Sequence, residues 1–146
     1  MCTAILIADA KVPKVAIADM IVYKVGMKID PKERNEKYRF RTPYQFTVYE
    51  PDKLAKAAMR FIKEGGFSDD TERNYVLENG RYKAFAYVRE GIHSFTNVER
   101  AKKHINRDAY FYIGEFIIPK GSKYYENACG NIVSNKIIFK QFLSCV

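Results

Sequence analysis

Residues 109–140 read AYFYIGEFIIPKGSKYYENACGNIVSNKIIFK, and this stretch decides the class of fold. Its first ten residues, 109–118, are β-branched, aromatic and nearly uncharged, the composition of a strand buried on both faces. Pro119 ends the ladder because it has no N–H to donate. Lys120 and Gly121 follow as a turn, 122–126 resumes extended, 127–131 reads as a loop, and 132–140 returns as a further strand. A sheet core therefore carries two polar clusters at its rim, KGSKYY (120–125) and SNK (134–136).

Working outward, 3–8 is short and apolar, Pro13 interrupts, and 20–29 (MIVYKVGMKI) is β-rich with partial alternation, so two early strands are expected. Residues 30–37 (DPKERNEK) are charged and hold Pro31, the pattern of a solvated connector. Residues 38–49 (YRFRTPYQFTVY) alternate aromatic and basic side chains before Pro43 and fit an edge strand. Pro51 sits like a first-turn helix residue, Leu54, Ala58, Phe61 and Ile62 follow at helical spacing, and Gly65-Gly66 supplies a stop; the spacing predicts a helix over about 52–64. Asn79-Gly80, between β-prone runs at 75–77 and 82–88, predicts a hairpin. Gly91 breaks that run. Thr96 and Glu99 form a capping box for a second helix over 97–105, with Val98, Ala101 and Ile105 on one face. The expectation is an α+β fold, mostly antiparallel sheet with two helices, in a single domain spanning 1–146.

A chain of 146 residues with 47% apolar and 29% charged side chains has globular composition, and at this size it buries roughly two-thirds of its unfolded surface. The 25 Lys and Arg against 17 Asp and Glu leave +8, which favours an anionic partner without naming it. Cys2, Cys129 and Cys145 share no CxxC or His-associated spacing, so neither a disulfide framework nor a metal centre is indicated. No apolar run approaches the roughly 20 residues of a membrane span, and the start lacks a secretory signal pattern. A cytoplasmic protein is expected.

The strongest functional signal is basic residues interleaved with aromatics in three segments: Arg39, Arg41 and Tyr44; Arg81, Tyr82, Arg89 and His93; Lys120, Lys123, Tyr124 and Tyr125. A nucleotide needs a π-face for its base and positive donors for its phosphates, and Tyr beside Arg or Lys supplies both. Asn135 would orient polar groups alongside His93. The KGSK turn lacks the spaced glycines of a Walker loop, yet its backbone N–H groups suit an anion. The same alternation describes any half-buried antiparallel strand, aromatic inward and basic outward. No Ser-His-Asp order, paired carboxylate site or metal cluster stands out, so no catalytic residue is assigned. With no continuous basic helix, zinc finger or RNP-like run, nucleic acid is disfavoured as a partner.

VYK at 22–24, TPYQF at 42–46, GIHSF at 91–95, IPKGSKYY at 118–125 and VSNKI at 133–137 resemble, in order and approximate spacing, segments of small uncharacterised proteins from gut bacteria and their phages. That resemblance implies a phage setting and no activity. A looser likeness is to the ADP-ribosyltransferase fold, with Lys24 where a first strand usually bears Arg or His, though the closing region has no Glu-x-Glu pair. The reading is a binding module without catalysis or cofactor that captures a small anionic nucleotide, and a phage sponge for a host immune signal would fit. Two alternatives stay open: an ADP-ribosyltransferase-like or nucleotide-hydrolysing enzyme using His93 or Glu115, and an interaction or virion protein. A homo-oligomer is compatible with each.

Overall fold

The computed structural model describes residues 6–8, 13–34, 36–43, 47–64, 67–68, 76–78, 81–83, 86–105, 111–127 and 129–143. These form sixteen strands and one short helix. In chain order the strands are β1 (Leu6–Ala8), β2 (Lys14–Val15), β3 (Met20–Ile29), β4 (Arg39–Arg41), β5 (Val48–Tyr49), β6 (Leu54–Lys56), β7 (Arg60–Glu64) and β8 (Phe67–Ser68). There follow β9 (Val76–Glu78), β10 (Arg81–Lys83), β11 (Ala86–Glu90), β12 (Ile92–Phe95), helix α1 (Val98–Lys102), β13 (Tyr112–Ile118), β14 (Lys123–Glu126), β15 (Asn131–Ser134) and β16 (Lys136–Phe142).

The main sheet is built around β3, the longest strand. Its order is β2-β14-β15-β12-β3-β13-β16-β6, with β4 joined to β3 and β5 to β4. Every strand pairing is antiparallel. β3 and β13 pair from Met20↔Ile118 to Gly26↔Tyr112. Alternation then gives each strand a core face: Val22 on β3, Phe116 and Ile118 on β13, Ile137 and Phe139 on β16 are buried. β4 and β5 bring Phe40 and Tyr49 onto that face. Phe40 meets Phe116 edge-on at 4.9 Å and Phe139 at 5.5 Å, while Tyr49 meets Phe116 at 5.3 Å.

Two glycines make room for the Phe40 ring. A Cβ on Gly114 would lie 2.8 Å from it, and one on Gly26 would collide with the ring and stand 2.5 Å from Arg41 O. Real side chains do not sit so close, so a flat notch in the sheet is what seats this fully buried ring.

The other face of β14 and β15 carries a second sheet, ordered β1-β11-β7. Val88 packs there with Tyr125, Val133 and Met59. Gly91, at φ +131, turns the chain from β11 into β12, and a Cβ at that point would strike Val133. A third sheet, β8-β10-β9, closes with Arg81 opposite Glu78. Asn79 and Gly80, the proposed turn, lie outside the described residues.

The α+β expectation is overturned: the described structure is mostly antiparallel sheet, with one helix of five residues. The predicted helix over 52–64 is instead β6, an irregular link and β7. From Leu54 to Met59 exposure alternates strictly, with Ala55, Ala57 and Met59 inward and Leu54, Lys56 and Ala58 outward. The period is two, so the helical template selected outward residues at 54 and 58. Backbone donors also go elsewhere, Asp52 N to Phe139 O at 2.8 Å and Ala57 N to Asn135 O at 2.9 Å, and Asp52 takes a left-handed φ of 62°. Pairing with β16 outweighs helix propensity here.

The second helix survives only as α1. Asn97, not Thr96, caps it, accepting from Arg100 N at 2.7 Å; Thr96 Oγ1 donates to Gly130 O. The expected strand over 132–140 is split at Asn135 into β15 and β16. No helix among the described residues is long and apolar enough to cross a membrane.

Candidate anion-binding groove

β5 and β6 are both terminal strands of their pairings, and the Pro51–Lys53 corner joins them. Between them lies a groove of about 330 Å³. Its charged lining is Lys32, Arg39, Lys53 and Glu50; Val48, Tyr49, Leu54 and Ala55 complete it. Pro31 precedes Lys32 in the connector after β3, and Arg39 opens β4, which pairs with the last residues of β3.

Three cations face one carboxylate. Glu50 receives Lys53 at 2.6 Å and Lys32 at 3.0 Å. The hydrogen bond from Lys53, then that from Lys32, brings the Glu50 carboxyl down to about 2, and Glu50 in turn raises Lys53. One carboxylate thus holds two lysine side chains at the rim. Arg39 donates Nε to Asp30 O at 3.0 Å, which uses one of the five N–H donors a guanidinium has. Beside the groove Asp52 joins Lys140 at 2.6 Å and Lys37 at 3.6 Å, and the Lys140 contact holds its carboxyl below the usual range. Four lysines and one arginine therefore surround Glu50 and Asp52, and Glu36 also lies near enough to act on Lys53.

Beneath this surface sits Lys24, 9% exposed on the core face of β3. Its Nζ donates to His93 O and lies 5.8 Å from the Tyr49 ring centroid. Burial lowers Lys24 to about 8 and raises Tyr49 to about 12. Tyr49 thus belongs to both the groove and the polar spot below it.

No family model, curated protein or solved structure matches this chain. The candidate site accordingly rests on its own geometry.

The sequence-selected residues divide into two groups. Arg39 lines the groove. Arg41, two residues along the same outward face of β4, contacts Met27 Sδ through a terminal nitrogen at 3.1 Å. Lys120, Lys123, Tyr124 and Asn135 gather instead at the β13–β14 turn, beside Asp19. Arg39 pairs with Ile29 and Ile118 with Met20, so the two groups lie at opposite ends of β3, whose ten residues span roughly 30 Å. His93 sits mid-sheet on β12, half-buried, opposite Val133. Tyr44 lies outside the described residues, as do the side chains of Tyr82 on β10 and Arg89 on β11.

The KGSK turn offers an anion no backbone donor. Lys120 N goes to Asp19 Oδ1 at 2.8 Å, Gly121 N to Ala16 O at 2.8 Å, Ser122 N to Pro119 O at 3.0 Å and Lys123 N to Asn135 Oδ1 at 2.9 Å. All four N–H groups are satisfied within the fold, and Asp19 adds a negative charge. Asn135 also receives structure rather than ligand, tying β14 to the β15–β16 corner. Tyr124 is half-buried against the main core.

Sequence reasoning missed Lys32, Lys53 and Tyr49 as site residues. Lys32 stood in a stretch whose charges looked solvated, and Lys53 within the mistaken helix. A signal for Lys24 was present: in MIVYKVGMKI, Val22, Lys24 and Gly26 share one face, placing a lysine among core positions.

Proposed function

We propose that this protein is a binding module that captures a small anionic nucleotide in the groove between β5 and β6 without transforming it. The observation that carries the reading is the three-to-one excess of cations over carboxylates in one concavity, with Glu50 holding Lys32 and Lys53 in place. Arg39 supplies planar donors suited to a phosphate, and Tyr49, Val48 and Leu54 supply apolar area for a base or sugar. The volume falls at the lower end of small-molecule sites. A module that holds a nucleotide and returns it unchanged lowers its free concentration, and the resemblance to phage proteins makes a sponge for a host signalling nucleotide the fitting role.

Isothermal calorimetry with ADP, ADP-ribose and cyclic dinucleotides, against the matching nucleosides, tests this. Binding should require the phosphate, weaken as salt rises, and fall at least tenfold in Arg39→Ala and Lys53→Ala. The bound compound should be recovered intact by mass spectrometry. Equal heats for nucleotide and nucleoside, or no heat with any, would remove the proposal, and recovery of a hydrolysed product would replace it with an enzyme.

A further inference from the structure

The outer face of the main sheet carries a row of aliphatic side chains that the core does not use. Residues directly opposed on neighbouring antiparallel strands share a face. Ile21 opposes Ile117, Ile117 opposes Ile138, and Ile138 opposes Leu54. The four stand in line across β3, β13, β16 and β6, one per strand, over roughly 14 Å at the inter-strand spacing. Their neighbours in sequence, Val22, Phe116, Ile118, Ile137 and Phe139, fill the core, so the row points outward. Ile21 is 56% exposed and Leu54 47%; Ile117 and Ile138 are half-buried. Helix α1 packs on the same sheet toward the other end of β13, where Ile113 and Ala101 are fully buried, and it leaves the row open.

Both flanks of the row carry charge: Glu115, two residues from Ile117 and hydrogen-bonded by Gln141, stands with Lys140 on one, and two lysines stand on the other. Lys136 opposes Lys56 directly, next to the Ile138–Leu54 pair and on the same face. Like charges set opposite each other destabilise a sheet. Neither lysine has an ion-pair partner among the described residues, whereas Lys140 on the other flank is held by Asp52. An apolar line beside two unneutralised ammonium groups is complementary to apolar residues in line beside carboxylates.

We infer that this face docks an acidic amphipathic helix of a partner protein. Pitch favours a helix: it presents one apolar residue every 5.4 Å turn, close to the roughly 4.8 Å between strands, while an extended chain presents same-face residues about 6.6 Å apart. Charge disfavours a second copy, since each chain carries +8. A lipid surface is disfavoured because two lysines fall short of the clusters of about four to eight that hold proteins to anionic membranes. The inference is separate from the nucleotide groove, although Leu54 borders both.

The test uses a fluorescein-labelled helical peptide of 18 residues, with one leucine per turn and glutamates along one side. A lysine-for-glutamate version and a scrambled version serve as controls, and anisotropy is read on the intact chain. The acidic peptide should bind at least tenfold more tightly than either control. Ile117→Asp, on an outward position, should weaken it at least tenfold, and so should the double change Lys56→Glu with Lys136→Glu, which leaves the apolar row intact and should also raise affinity for the lysine peptide. Lys32→Ala and Lys53→Ala should leave it unchanged, separating this face from the groove. Three results would overturn the inference: equal binding of acidic and scrambled peptides, a dimer in sedimentation that Ile117→Asp dissolves without peptide binding, or binding confined to phosphatidylserine vesicles.

Discussion

Replacing Lys24 with methionine should change how stability depends on alkaline pH. Lys24 is buried with its Nζ on His93 O, and no carboxylate faces it among the described contacts. Burial brings it from 10.5 to about 8. The unfolded chain therefore holds this proton more tightly than the folded one, and stability rises as pH climbs from 8 to 10.5. At about 1.4 kcal/mol per pH unit, keeping the ammonium charged in the fold costs about 3 kcal/mol below pH 8. Tyr49 acts in the opposite sense. Raised from 10.0 to about 12, it stays protonated in the fold while the unfolded tyrosine ionises, so stability falls from pH 10 to 12. The two windows meet near pH 10, where wild-type stability should peak. Lys24→Met removes the buried charge and also a hydrogen bond to His93 O, a loss of about 1 kcal/mol. At pH 7 the variant should be more stable by about 1–3 kcal/mol, and the gap should close by pH 10. Urea unfolding of both proteins at pH 7, 8, 9 and 10 reads this directly. Parallel curves for the two proteins, with no alkaline rise specific to the wild type, would refute the account of Lys24 as an uncompensated buried cation.

Other substitutions probe the packing. Gly114→Ala should cost about 2–3 kcal/mol through overpacking against Phe40, and Phe40→Leu in the same chain should recover part of it; in Gly26→Ala the Arg41 carbonyl is also in the way, so the same second change should recover less, as urea midpoints would reveal. Lys28 stands over three rings, Tyr38 at 5.0 Å, Tyr112 at 4.8 Å and Phe142 at 5.3 Å, so Lys28→Gln should lower stability by about 1 kcal/mol in thermal melts. Asn135→Ala leaves Lys123 N without its acceptor and should cost about 1–2 kcal/mol, with faster amide exchange at Lys123 by NMR.

Most strands were legible because their signals are local. Residues 20–29 alternate and 112–118 lie within an apolar run ended by Pro119, so β3 and β13 follow from composition. The 54–62 segment misled because its apolar residues satisfy helical and strand spacings together, and only the partner strand β16 decides between them. For the site, Arg39 was readable as a basic residue among aromatics. Lys32 and Lys53 were not, since their value comes from sharing Glu50 across 21 positions of chain between them.

By itself the amino-acid order determined a basic β-prone chain, the central strands β3 and β13 of its core, and the places where proline and glycine break them. Local sterics and side-chain periodicity act within a few residues, and these features need nothing more. Only tertiary pairing decided that 54–56 is an edge strand, that the KGSK donors are already used, and that the arginine and lysine clusters stand at opposite ends of β3. Each of those outcomes depends on which distant backbone group a given N–H meets, and that is settled by the register of the sheet.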